Sequence, residues 1–311
     1  MIPGVVVVGS LNMDFVVSTP HLPAPGETVL GHGFQMIPGG KGANQAYAAA
    51  RLSRGAPVRM IGRVGYDAFA DHLKASLSAA GVDVSFVHST RAAPTGIAMI
   101  AVDGAGQNSI VVAPGANSEL LPADVGAMRR VFHGNRVAAF QLETPIATVE
   151  GAMRVAREEG LTTILDPAPA RPLPAAVLAA TGILTPNESE ARTLLGEAPS
   201  EIALADAPSI AARLRDLGVA AIVLKLGSQG CWLSAEGIER HFPAVPVKPV
   251  DSTAAGDTFN AALAVALAEG QPWDQALPFA NAAAAFSVTK MGAQSSAPSR
   301  DEAEALLAAS R

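Results

Sequence analysis

The chain has 311 residues, of which 49% are hydrophobic, enough length and apolar content for a large packed core and unlike a disordered chain. Its net charge of −6, with no cluster of Lys and Arg, excludes a protein that holds nucleic acid by bulk attraction. One cysteine, Cys231, excludes an internal disulfide and fits a reducing compartment, while six scattered histidines without an HExxH or Cys/His pairing argue against a zinc site.

No basic residue precedes Lys41, so the N-terminus lacks the charged front of a signal peptide. The apolar run Ala261–Ala268 is too short to span a bilayer. A soluble, cytoplasmic protein is expected. Along the chain, Val5–Val8, Val58–Ile61, Val137–Phe140, Thr162–Leu165, Ile183–Leu184 and Ala221–Leu224 read as buried strands, short and bounded by Gly, Pro or Asn. Between and after them, helical patterns cover Gly42–Leu52, Ala68–Ala80, Ile146–Glu159, Glu188–Leu195, Pro208–Leu217, Ala255–Ala268, Pro272–Thr289 and an amphipathic Arg300–Ser310. Strands alternating with helices predict an α/β fold with a mostly parallel sheet covered on both faces. Phe15–Gln35 and Thr95–Val112 break the rhythm: both carry strand residues with no helix, the second around the hairpin signal DGAGQN. They predict a small separate sheet, an edge extension or a lid. No linker, repeat or low-complexity tract divides the chain.

In open α/β sheets, ligands bind where strands end. Asp251–Asn260, DSTAAGDTFN, opens a helix on nearly bare backbone. The amides of Ala254, Ala255 and Gly256 suit an anion at a helix N-terminus. Asp257 beside them is either a first-turn cap or a base for an attacking hydroxyl. Pro38–Ala46, PGGKGANQA, is not a Walker A loop, because Gln35 replaces its first glycine and Gly42 follows Lys41. It reads as a glycine turn before a helix, or as a cradle in which Gly39 and Gly40 admit a ligand and Lys41 and Asn44 donate to hydroxyls. Asn12 and Asp14 share one strand face, and Asp14 is either a turn residue or a sugar-hydroxyl acceptor. Asn187 and Glu190 form a capping box, and would also suit a hydrated Mg²⁺ on phosphates. Lys225 and the following glycine turn reach a nucleotide or merely close a hairpin. Glu143, in QLETP, follows a strand.

Taken together, these motifs resemble the ribokinase family of carbohydrate kinases. GSLNMD (Gly9–Asp14), PGET (Pro25–Thr28), PGGKGANQA, QLETP, DPAPA (Asp166–Ala170), TPNESE (Thr185–Glu190), DSTAAGDTFN and GAQSS (Gly292–Ser296) stand in that family's order over nearly the whole chain. The resemblance implies a three-layer α/β/α core in one domain, 1–311, with lid segments at about 15–40 and 95–112. It implies ATP-dependent phosphorylation of a sugar, D-ribose at O5 first; another pentose, a ketohexose, a sugar acid or adenosine is the alternative. A non-catalytic sugar-binding regulator on the same scaffold is a reading of another class. By the resemblance, Asp257 is the base and Ala254, Ala255 and Gly256 form the anion hole. Asn12, Asp14, Gly40, Lys41, Asn44 and Glu143 hold the sugar. Asn187, Lys225, Gly227, Gly230, Gly256 and Asn281 line the ATP site, and Glu190 organises Mg²⁺ through water. Asp251, Thr253, Ser287, Lys290, Gly292 and Ser296 surround K⁺, several through backbone carbonyls. A homodimer through the lid sheets is also implied. Asp166 stands where the family commonly has asparagine, adding a negative charge near the site.

Overall fold

The protein is described by a computed structural model covering residues 3–310. Its strands are β1 (Gly4–Val8), β2 (Asn12–Ser18), β3 (His32–Gly39), β4 (Val58–Val64), β5 (Val82–Ser89), β6 (Gly96–Val102), β7 (Asn108–Ala113), β8 (Asn135–Phe140), β9 (Thr162–Leu165), β10 (Ile183–Leu184), β11 (Ala221–Lys225), β12 (Cys231–Ala235) and β13 (Ile238–Phe242). Its α-helices are α1 (Lys41–Leu52), α2 (Ala68–Ala79), α3 (Pro122–Ala127), α4 (Ile146–Glu158), α5 (Ala175–Ala180), α6 (Glu188–Leu194), α7 (Ala207–Arg215), α8 (Ala255–Ala268), α9 (Trp273–Ser287) and α10 (Arg300–Ala309).

A nine-stranded sheet runs β13-β12-β11-β10-β9-β8-β1-β4-β5. The strands from β11 through β5 pair in parallel, and β12 and β13 add an antiparallel edge. The run of four valines in β1 shows why this sheet has two covered faces. Val5 and Val7 enter one core with residues of α1, α2, α8 and α9, while Val6 and Val8 enter another with residues of α3, α4, α6 and α7. Side chains alternate along a strand, so an unbroken apolar run serves two helical layers at once. Fully burying each valine contributes about 1.5–3 kcal/mol. Among the described residues, no helix is long and apolar enough to cross a membrane.

A second sheet of four strands runs β3-β2-β6-β7. It is made from the two segments that carry no helical pattern. Register places Met36, Phe15, Met99 and Val111 in one row across its four strands, and Asp14, the neighbour of Phe15, on the other face. Met36, Met99 and Val111 are exposed, as is Phe34, which stacks on Phe15.

Most expected elements appear within two residues of their predicted ends. Strands β5, β12 and β13 and the short helices α3 and α5 have no counterpart in the sequence reading. Strands β5 and β13 lie at the two edges of the large sheet and leave part of their length exposed, which removes the continuous apolar run that marks a central strand. The segment expected as strand over Phe15–Gln35 is strand only at its ends; 19–31 carries none.

Candidate active site

The carboxyl ends of β1, β8, β9 and β11 meet the N-termini of α1 and α8. Helix α8 begins with Ala254 as its N-cap in the left-handed region, φ 57°, the only non-glycine residue with positive φ among those described. That geometry costs an alanine about 1–2 kcal/mol, and the rest of the loop must hold it. No side chain caps this helix. The Ala255 amide donates to the Ser252 carbonyl at 3.3 Å, and the Thr258 amide starts the helical ladder on Ala254. Of the amides expected to be open, those of Ala254 and Gly256 have no partner, and neither has that of Asp257; the expectation that Ala255 offers one is corrected by its turn to Ser252. Lys225 ends β11 beside this bare start: a Cβ on Gly256 would stand 3.4 Å from its Nζ. Free amides, a helix dipole and an ammonium make a ready anion cradle.

Asp257 is buried, and its side chain lies among polar groups from other elements. Asn44 Nδ2 donates to its Oδ2 and Gln45 Nε2 to its Oδ1, both at 3.1 Å. Burial pushes its pKa up to about 6; Lys41 pulls it down, Asp166 pushes it up, and the bonds from Gln45 and Asn44 pull it down. Asp14 is raised to about 7 by burial, then by Glu143 and Asp257. Burial works against the Lys41 charge, but Asp257, Asp166, Glu143 and Glu190 outweigh it and hold its pKa above the ordinary lysine value.

Two glycines let this corner close. A Cβ on Gly39 would come within 2.1 Å of Asp14 Oδ2, and one on Gly40 within 2.7 Å of the Asn12 amide. Gly40 also takes φ 89° as the N-cap of α1, a conformation that favours glycine. Glu143 accepts from Ser10 Oγ at 2.5 Å and from the Lys41 amide at 3.1 Å. Asn12 Oδ1 accepts from Asn117 Nδ2 at 2.8 Å, and Asn117 is itself locked to both backbone groups of Leu11. The structure therefore brings Asn12, Asp14, Gly40, Lys41, Asn44, Glu143 and Asp257 to one corner.

On the far side of Lys225 the capping box is present: Asn187 Oδ1 accepts from the Glu190 amide, and both Glu190 oxygens accept from Asn187. Glu190 nonetheless belongs electrically to the cluster. Burial raises its pKa, Lys225 lowers it and Asp166 raises it. Gly227 and Gly230, both at positive φ, turn the chain from β11 into β12. Asn281 is committed elsewhere, its Nδ2 donating to the carbonyls of Phe242 and Pro243 at 3.0 Å each.

The residues expected around K⁺ divide. Asp251 Oδ1 accepts from the Thr253 amide and hydroxyl, and its Oδ2 from the Gly292 amide at 2.8 Å. The amides of Val250 and Asp251 both donate to the Val288 carbonyl. The loop before α8 is thus laced to the loop after α9. Against the pull of burial, those bonds hold the Asp251 carboxyl below the usual range. Ser287 and Ser296 spend their hydroxyls on Ala284 and Ala293. The Lys290 side chain turns to Glu302 and over the Phe286 ring, so only its backbone is left for such a site. Among the described residues, no group of three or more His, Cys, Asp or Glu is arranged to hold a metal.

Four residues of the site escape a sequence reading for function: Ser10, Gln45, Asn117 and Gln141. Gln45 carried a usable signal, because it lies four residues after Lys41 on the same helix face. Asp166, the departure from the family's asparagine, is ion-paired to Lys225 at 3.1 Å, so its charge has a partner.

Comparison with known proteins agrees in sequence and in fold. Residues 3–300 match the model of the pfkB family of carbohydrate kinases. The chain is 44% identical to the ribokinase of Bacillus subtilis over 302 residues, 97% of this chain and 98% of that one. It is 41% identical to the ribokinase of Haemophilus influenzae over 297 residues, 95% of each. Among solved structures, the Arabidopsis thaliana ribokinase complexed with ribose and ATP superposes with a TM-score of 0.89 at 35% identity, over 99% of each chain. Matched from end to end, and with a bare helix start beside a buried carboxyl at its centre, the chain belongs to the pfkB family of carbohydrate kinases.

Proposed function

We propose that this protein transfers the γ-phosphoryl group of ATP to O5 of D-ribose. The observation that carries the reading is the juxtaposition of Asp257, buried and with a pKa of about 6, with the uncapped amides of Gly256 and Asp257 and the Lys225 ammonium. Phosphoryl transfer needs little more from a protein than donors for the developing charge and a base that orients the nucleophile. Asn12, Asp14, Gly40, Lys41, Asn44 and Glu143 hold the sugar and set its terminal hydroxyl against Asp257. Asp257 takes the proton as that oxygen attacks phosphorus in line. The two amides and Lys225 take up charge on the transferred group. Asn187, Gly227 and Gly230 line the nucleotide, with Asn281 holding the end of β13 against it. Mg²⁺ entering with ATP would neutralise phosphate charge, and Glu190 would order its water. The Asp251–Gly292 lacing suits a K⁺ site made of carbonyls, since an ion there would steady the loop that ends in Ala254.

The small sheet acts as a lid, its Asp14 face over the sugar. Its opposite face, with Phe34, Met36, Met99 and Val111 exposed, suits a second copy of the chain, giving a homodimer. The relatives named above favour ribose, and the polar corner favours a small polyhydroxylated substrate over a nucleoside, which would need an apolar base pocket. A coupled ADP-release assay over ribose, fructose, 2-deoxyribose and adenosine tests the reading. Ribose should give the highest kcat/KM, and 2-deoxyribose a lower one, because a site that bonds a hydroxyl rejects the analogue lacking it. Preference for fructose or adenosine would move the assignment to that substrate; no turnover with any would return the protein to a sugar-binding role.

A further inference from the structure

Two carboxyls beside the anion cradle, Asp257 and Asp166, share one amide. Gln45 Nε2 donates to Asp257 Oδ1 and to Asp166 Oδ2, each at 3.1 Å. An amide nitrogen has two hydrogens, so both are spent on these acids. The other end of the amide is also held: Gln141 Nε2 donates to Gln45 Oε1 at 2.6 Å. Turning the Gln45 amide over would set its oxygen against two carboxylates and its nitrogen against a donor. Gly9 makes room for the arrangement, since a Cβ there would lie 2.0 Å from Gln141 Oε1. Gln45, Gln141, Asp166 and Asp257 are all buried. Beyond Asp166 the chain of contacts ends on Lys225, at the anion cradle. Five elements contribute to it: the ends of β8, β9 and β11, and the N-terminal halves of α1 and α8.

We propose that Gln45 is a positioning residue, its locked amide clamping Asp257 toward the acceptor hydroxyl and tying that carboxyl, through Asp166, to the phosphate-facing Lys225. The inference rests on Asp257 being the base. Two like charges a single amide apart repel, and a donor between them offsets that repulsion. Around Asp257, Lys41 on α1, Asp166 after β9 and Asp14 on β2 contribute charge directly. Lys225 on β11 is paired with Asp166, and Glu143 after β8 takes the Lys41 amide. With these groups unchanged, removing the Gln45 bond must raise the basicity of Asp257, whereas removing the Asp166 charge must lower it.

The test is the pH profile of kcat/KM, measured with whichever sugar the panel favours. Gln45→Leu should lower kcat by about tenfold or more, a fraction of the roughly 10²–10⁴ that a positioned base contributes. KM for sugar and for ATP should stay within about threefold, since neither ligand is held by this amide. The acidic limb should move to higher pH. Gln45→Met should repeat this, and Gln141→Leu, which frees the amide to turn, should move the limb the same way. Asp166→Asn should move it to lower pH. Wild-type kcat in both Gln45 variants, or a loss of kcat with the limb unmoved, overturns the inference. If neither Gln45 variant folds, the Gln141 and Asp166 variants decide: limbs that fail to move in opposite directions overturn it. Asp257→Asn separates this from the underlying reading. Near-normal turnover there defeats the base assignment, whereas an inactive Asp257→Asn with unmoved limbs in the other variants defeats only the role of Gln45.

Discussion

A carboxyl that takes a proton from an alcohol near neutral pH must be ionised yet as basic as its surroundings allow. Asp257 meets both demands through burial, which raises its pKa to about 6, and through Lys41, which keeps it from rising further. The base works only when deprotonated, so kcat/KM should fall as pH drops through about 6, after a first decline from about 7 as Asp14 in the sugar corner takes up its proton. Asp257→Asn keeps the shape and removes the basicity. It should cost about 10²–10⁴ in kcat while ribose and ATP still bind, read by steady-state kinetics beside calorimetry. A variant with near-normal kcat would remove the base from the mechanism. At this scale the sequence was partly legible. Asp257 and Lys41 stood out by motif, but Gln45 and Asn117 did not, because an amide shows its purpose only when its partners are known. Those partners lie far along the chain: Gln45 reaches residues 141, 166 and 257, and Asn117 reaches residues 11 and 12.

Helix α8 states its own logic in sequence: a small, uncapped start followed by a run apolar on every side, which must be buried. Its entry is another matter. Ala254 stays left-handed because the preceding loop is fastened at Asp251, whose side chain takes three hydrogen bonds, two from Thr253 and one from Gly292. Asp251→Ala should loosen that loop, lower kcat by about tenfold, and erase a K⁺ response if the ion acts there. Assaying wild type and variant in K⁺ and in Na⁺-only buffers checks this. Equal wild-type rates in the two buffers would eliminate the K⁺ site. The elements themselves were well foretold where apolar periodicity was continuous, as in β1, β8 and α8. They were missed at β5 and β13, the two edges of the large sheet, where mixed, half-exposed residues break the apolar run.

Across the whole molecule, the small sheet is the part whose purpose depends most on context. Its Asp14 face closes the polar corner, and its other face is apolar and exposed, a costly surface unless something covers it. If a second copy does, light scattering on a sizing column should give the mass of two chains, and Phe34→Asp with Met99→Asp should give one chain with the large sheet's stability unchanged. A wild-type monomer at micromolar concentration would remove the dimer from the account.

The order of strands and helices, the two-sided burial of the large sheet and the bare start of α8 follow from local pattern, because apolar period and helix-end chemistry act over a few residues. Tertiary structure alone decided which polar groups meet. Lys225 finds Asp166, Gln45 finds two acids, and the Ala255 amide is lost to Ser252 while those of Gly256 and Asp257 stay open. Such meetings depend on how strand ends fan across a folded sheet. The energy of each contact lies in a distance that no single stretch of chain encodes.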